Sequence, residues 1–185
     1  DSKRLIVDIL KDELRDAGYS NMLEIVLDAS NYGVPQKRNR FFILATRIQN
    51  LMLSAPTPSS NVKVTVREAL SGLANVIPNS NNEKRTYTKS TSEYVALMRD
   101  NLFWRRGNEI NNVVTYHMPM KHRACTIERF DLLHQGESLK DLFERYQGEE
   151  RESLQQRRVL PKKMFIKRNY RLISNEPSPT VTNNC

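Results

Sequence analysis

The sequence predicts an α/β chain, in which a helix and an antiparallel hairpin form the tail of an α/β sheet and a small mixed α+β domain follows. Three observations predict this. Apolar residues recur at helical spacing through residues 1–17. Two apolar runs, 22–29 and 40–46, follow with only residues 30–39 between them. The later chain then alternates short helical stretches with polar loops. The connection between the two runs is long enough to carry function but too short for a helical crossover, so the strands should pair antiparallel.

In the first helix Leu5, Ile6, Ile9, Leu10 and Leu14 make the apolar stripe, with Lys3, Lys11, Asp12 and Arg15 on the other side. Asp1 or Ser2 suits its start and Gly18 its end. Along 22–29, Leu23, Ile25, Leu27 and Ala29 share one face. The 40–46 run is apolar on both faces, as an interior strand would be. Residues 54–61 (Ser-Ala-Pro-Thr-Pro-Ser-Ser-Asn) are linker-like. Thr65 and Glu68 have capping-box spacing and open a short helix within 62–73 that closes at Gly72. Residues 75–92 are polar and aperiodic, hence loop. A helix is expected over 90–104, capped by Ser90 and Glu93, with Tyr94, Leu97 and Met98 on one face. Short helices over 126–134 and 138–147 should end near Gly136 and Gly148, and the charged stretch 149–158 suits an exposed helix. Short strands are expected at 164–173 and 179–182 around a Pro-rich turn.

The chain has 185 residues, and its 29 Lys and Arg against 21 Asp and Glu leave a formal charge of +8, which suits a polyanionic partner, nucleic acid first. Its two cysteines, Cys125 and Cys185, have no metal-ligand spacing and read as free thiols of a reducing compartment. The absence of a long apolar run or a signal-like start predicts a cytoplasmic protein with no membrane partner. Helical periodicity begins at once after Asp1, and the chain stops just beyond a strand-like run. Both ends read as those of a fragment, with trimmed tails as the alternative.

The stretch 31–45, Asn-Tyr-Gly-Val-Pro-Gln-Lys-Arg-Asn-Arg-Phe-Phe-Ile-Leu-Ala, is the most informative. A turn-forming lead runs into Gln36-x-Arg38-x-Arg40 and then into an apolar strand. In an extended chain these three side chains fall on one face, so their donors converge. The bland alternative is three polar groups at a strand end, satisfied by their neighbours.

This element resembles the Gln-x-Arg-x-Arg motif of the cytosine-5 DNA methyltransferases. The opening helix, Gly18-Tyr19 and the Val26-Leu-Asp-Ala29 run resemble that family's seventh-to-eighth motif region. Thr65-Val-Arg-Glu-Ala-Leu resembles the segment after it, and Tyr170-Arg-Leu172 with Pro177-Ser-Pro-Thr-Val-Thr182 resembles the start of the ninth motif. The resemblance implies the C-terminal part of a Rossmann-like methyltransferase sheet over 1–73. It also implies a target recognition domain over 74–167 and a ninth-motif return over 168–185. The parent enzyme would transfer a methyl group from S-adenosylmethionine to C5 of cytosine in double-stranded DNA, as in bacterial restriction-modification, near the nucleoid. Arg40 would contact O2 of a flipped cytosine, Arg38 would hold a phosphate or an active-site carboxylate, and Gln36 would orient the loop. The family's Pro-Cys nucleophile, Glu-Asn-Val glutamate, Gly-rich cofactor turn and tenth motif do not occur in this sequence. A missing N-terminal catalytic half would supply most of them, and the chain alone should be inactive, with no cofactor bound and no metal.

Two basic groups follow. Arg105 and Arg106 come just after Phe103-Trp104, and Arg157, Arg158, Lys162 and Lys163 lead a second cluster continued by Lys167, Arg168 and Arg171. Both could neutralise phosphates, or form a solvated face partly offset by Glu149, Glu150 and Glu152. Gln155, Gln156 and Asn169 are available for base reading. His117 and His122 read as structural or surface histidines, Met118 and Met120 as packing, and Arg171 and Thr180 as organisers of the recognition domain's base. The competing functions are a stand-alone sequence-specific DNA-binding module and an inert interaction protein.

Overall fold

The computed structural model describes residues 5–59, 62–79, 85–100, 113–114, 117–163 and 169–181. The chain divides into two compact units, residues 1–63 and 64–185. The division falls just before the Thr65 helix.

The first unit holds helix α1 (Ile6–Asp16) and strands β1 (Asn21–Asp28) and β2 (Asn39–Thr46). The strands pair antiparallel, from Asn21 opposite Thr46 to Asp28 opposite Asn39, which is the hairpin expected. Gly18 stands just past α1 at φ +87°, and the N–H groups of Gly18 and Tyr19 return to the Arg15 and Leu14 carbonyls. The helix starts later than its periodicity suggested, behind Leu5, which supplies no side-chain cap. Asp1 and Ser2, expected at its start, lie outside the described residues.

β2 is not an interior strand among the described residues, for it pairs with β1 in a two-stranded sheet. Phe41 and Phe42 are exposed, as are Leu5 before α1 and Ile6, Ile9 and Leu10 on it. One helix and one hairpin cannot cover two sheet faces and a wide apolar stripe together. Residues 47–59, expected as a linker in part, fold back on the hairpin. The Asn21 amide donates to the Leu51 carbonyl at 2.5 Å, and the Tyr32 hydroxyl donates to the Pro56 carbonyl at 2.9 Å.

The second unit opens with α2 (Val66–Leu70), capped by the Thr65–Glu68 box read from the sequence. The first-turn N–H groups of Val66 and Arg67 donate to the Glu176 and Ser174 carbonyls, each at 2.8 Å. A returning C-terminal segment thus satisfies donors a helix start leaves free. Gly72 lies so close to Val95 of α3 (Glu93–Asp100) that a Cβ there would stand 2.7 Å from a Val95 methyl. Ser92, not Ser90, caps α3 by accepting from the Val95 N–H. Ser90 instead meets Ser71 across the α2–α3 junction at 2.6 Å. The supposed loop 75–92 contains β3 (Arg85–Thr86), paired antiparallel with β4 (Val113–Val114).

Three short helices carry the core: α4 (Ala124–Leu132), α5 (Leu139–Arg145) and α6 (Gly148–Gln156). Leu133, Leu139, Leu142, Leu154, Val159 and Leu160 are buried together, with Cys125, Phe143 and Tyr146 packed against them. Ser138 and Asp141 form a capping box on α5, and Gly148 opens α6 rather than closing α5. Of the expected strand at 164–173, residues 164–168 lie outside the described residues, and 169–173 form no strand. The Arg171 N–H and carbonyl are taken instead by the Glu137 carbonyl and the Gly136 N–H. The expected 179–182 strand is absent over 179–181, with residue 182 outside the described set. Pro177 and Pro179 cannot donate to a ladder.

Candidate functional site

The connection between β1 and β2 is built by one carboxylate. Asp28, the last residue of β1, accepts from the Ser30 N–H at 3.1 Å, the Ser30 hydroxyl at 2.8 Å and the Arg38 N–H at 3.0 Å. The Ala29 N–H donates to the Arg38 carbonyl at 3.1 Å, so both ends of the loop are tied at one point. Lys63 Nζ stands 3.7 Å from the same carboxylate. Burial pushes the Asp28 pKa up, but the Ser30 N–H and hydroxyl, the Arg38 N–H and Lys63 outweigh it and hold the carboxyl below its ordinary value. Ser30 is 1% exposed.

Within this clamp, a 3-10 turn (Ala29–Tyr32) ends at Gly33 with φ +80°, a conformation that needs glycine. The Ser59 N–H donates to the Asn31 carbonyl at 3.1 Å and braces the turn from outside. Asp28-Ala-Ser30 is an Asx-turn signature and could have revealed the clamp. Its tie to Arg38, closed across the loop, could not be read locally.

Gln36 and Arg38 are half-buried at the exit of the loop, and Arg40 is exposed within β2 opposite Leu27. The Gln36 N–H donates to the Val34 carbonyl at 2.7 Å, and one Arg40 guanidinium nitrogen donates to the Asn39 carbonyl at 2.9 Å. Among the described residues the Gln36 amide and the Arg38 guanidinium make no hydrogen bond or ion pair. A fixed backbone therefore carries side-chain donors that no other described residue of the unit uses.

The basic groups differ from one another. Arg105 and Arg106 lie outside the described residues. Arg157 is ion-paired with Glu128, which leaves less of its charge for an outside anion. Arg158, Lys162 and Lys163 are exposed, and among the described residues their side chains have no acidic partner. Arg158 has φ +63°. The turn that presents it is anchored by buried Val159 and Leu160 and by Arg129, whose guanidinium donates to the Val159 and Arg158 carbonyls at 2.5 and 3.0 Å. Sequence reasoning missed Arg129, because its role depends on the packing of α4 against the turn after α6. Arg171 donates to the Leu133 carbonyl at 2.7 Å. Gln155 donates to the Pro161 carbonyl, which occupies its amide. Met118 and Met120 are 59% and 73% exposed, so they are not packing residues.

One hollow of about 420 Å³ lies between α4 and α6 and is lined by Glu128, Tyr146, Glu149, Glu150 and Arg157. A hollow of about 370 Å³ beside β1, lined by residues 21–23 and 49–53, has no carboxylate for ribose hydroxyls. Among the described residues no cluster of His, Cys, Asp and Glu could hold a metal ion, and no helix is long and apolar enough to cross a membrane.

The model of the C-5 cytosine-specific DNA methylase family matches residues 1–179, and the chain belongs to that family. It is 27% identical over 186 aligned residues to the Type II methyltransferase M.DdeI of Desulfomicrobium norvegicum, which covers 97% of this chain and 42% of that protein. It is 42% identical over 50 residues to the Type II methyltransferase M.MspI of Moraxella sp, 27% of this chain and 12% of that protein. The chain thus spans less than half the length of either. Its fold is similar to that of a crystal structure described as a prophage-encoded DNA modification methyltransferase from E. coli. That similarity has a TM-score of 0.63 at 24% identity and covers 97% of this chain and 49% of the other.

Proposed function

We propose that this chain is the base-positioning and target-recognition part of a bacterial DNA (cytosine-5-)-methyltransferase acting on double-stranded DNA in the nucleoid. The observation that carries the reading is the Asp28-clamped loop, which delivers Gln36, Arg38 and Arg40 in a chain of this family. Arg40 donates to O2 of a flipped cytosine and draws electron density from the ring, which favours attack at C6. Arg38 holds a phosphate or an active-site carboxylate, and Gln36 steadies the exit of the loop. Arg158, Lys162 and Lys163 neutralise DNA phosphates, with Arg105, Arg106 and Arg157 adding to the same field.

S-adenosylmethionine supplies an electrophilic methyl group in this family's chemistry. The Gly-rich cofactor turn and the Pro-Cys nucleophile of the family do not occur in this sequence. Cys125 follows Arg-Ala and packs against the core, and Cys185 follows Asn-Asn, so neither has the family's Pro-Cys context. Both functions therefore belong to a further part of the enzyme, and the chain alone does not methylate.

The test is methyl transfer by the longer protein that contains this chain, with Arg40→Ala as the variant. The expected outcome is cytosine methylation at a fixed sequence, with Arg40→Ala lowering the rate at least tenfold and DNA affinity hardly at all. Equal losses in both would demote Arg40 to a phosphate contact. Salt-sensitive DNA binding without any methylation would favour a DNA-binding module instead.

A further inference from the structure

The segment 117–123, His-Met-Pro-Met-Lys-His-Arg, belongs to no helix or strand, yet it is held at both ends. The His117 Nε2 lies 2.7 Å from the Ala74 carbonyl. A carbonyl only accepts, so that nitrogen carries the proton and donates. At the other end, Asn79 grips the His122 backbone twice. Its side-chain oxygen accepts from the His122 N–H at 2.7 Å, and its amide donates to the His122 carbonyl at 3.0 Å. The His122 ring also stands edge-on to Phe130, 5.5 Å between centroids.

Between these anchors the side chains alternate in exposure. His117 and Pro119 are half-buried, while Met118 and Met120 are 59% and 73% exposed. Pro119 biases Met118 toward an extended backbone. At roughly 3.1–3.4 Å of rise per residue the two methionines stand about 6–7 Å apart, close to two base-pair steps of about 3.4 Å. Lys121 and Arg123, both exposed, follow at once. Two long apolar side chains held out into solvent beside two cations, in a chain of charge +8, suit a polyanion that also offers apolar groups at a regular interval. The thymine C5-methyl groups in the DNA major groove are such groups.

We infer that residues 118–123 form a base-reading segment, in which Met118 and Met120 contact thymine methyls of the recognised sequence and Lys121 and Arg123 bind the flanking phosphates. This rests on the proposed methyltransferase function and adds to it the residues that select the target. Met fits the task because its flexible thioether adapts to a groove without needing a hydrogen-bond partner.

The experiment uses the longer enzyme and a library of duplexes randomised around the target cytosine, with methylated positions read by sequencing. The recognised sequence should contain at least one A·T pair. The Met118→Ala/Met120→Ala double variant should lose about tenfold in preference for that pair, while Met118→Leu/Met120→Leu keeps it. Replacing the thymine by uracil should cost the wild type a similar factor and the alanine variant nothing. Thermal melting checks that the variants remain folded, which their exposure favours. A recognised sequence made only of G·C pairs, or an alanine variant with unchanged selectivity on an active enzyme, would overturn the inference and leave the methyltransferase reading standing. Absence of any cytosine methylation by the wild type would sink that reading itself, and this inference with it.

Discussion

Asp28→Ala removes the carboxylate that closes the loop carrying Gln36 and Arg38 and leading into Arg40 of β2. Three donors lose an ionised acceptor: the Ser30 N–H, the Ser30 hydroxyl and the Arg38 N–H. Hydrogen bonds to charged groups contribute about 1.5–3 kcal/mol each when well shielded. The Asp28 side chain is 24% exposed and the bonds are not additive, so about 2–3 kcal/mol for the whole clamp is the reasonable sum. Lys63, at 3.7 Å on the surface, adds less than about 1 kcal/mol. Such a loss lowers the closed-loop equilibrium by roughly 30- to 150-fold.

Hydrogen exchange at the Ser30 and Arg38 amides reads the clamp directly. Protection there should collapse in Asp28→Ala and largely return in Asp28→Asn, which keeps an acceptor oxygen. In the longer enzyme the methylation rate should fall about tenfold or more in the alanine variant, with DNA affinity changed less than about twofold. The acid dependence has a definite sign. A carboxyl whose folded pKa is depressed stabilises fully above its unfolded value of about 3.9 and loses that contribution as pH falls through the folded value. Protection of these amides should therefore drop below about pH 4 in the wild type, and not in the same way in Asp28→Asn. Unchanged protection in Asp28→Ala would refute the clamp.

Two further outcomes concern the second unit. Replacing Arg158, Lys162 and Lys163 together by alanine should weaken DNA binding alike on all sequences. It should also flatten the log K against log salt slope by up to about 0.9 for each phosphate no longer neutralised. An unaltered slope would show that these cations face only water. Leu142→Ala, at a position with no solvent exposure, should cost about 2–5 kcal/mol through the packing it removes and the cavity left behind. A fall in chemical-denaturation stability under about 1 kcal/mol would show that α4–α6 do not form the unit's core.

Where side chains act on their near neighbours, the sequence was sufficient. The stripe of α1, the pairing of β1 with β2, the Thr65–Glu68 box and the run of helices from α4 to α6 all follow from periodicity and capping, which act within a few residues. The Gln36-x-Arg38-x-Arg40 element was picked out by strand alternation and by its resemblance to the family motif. Periodicity states which side chains are apolar but not what is available to cover them, so it made β2 an interior strand, whereas among the described residues β2 pairs only with β1; Met118 and Met120, read as packing, are exposed. Hydrogen bonds closed across long stretches of chain were decided only by the tertiary structure. Asp28 reaches Arg38 across the loop, Asn79 grips His122, and Arg67 finds Ser174 more than a hundred positions away. Each depends on how the backbone returns, and that is fixed by the packing of whole elements rather than by the residues on either side.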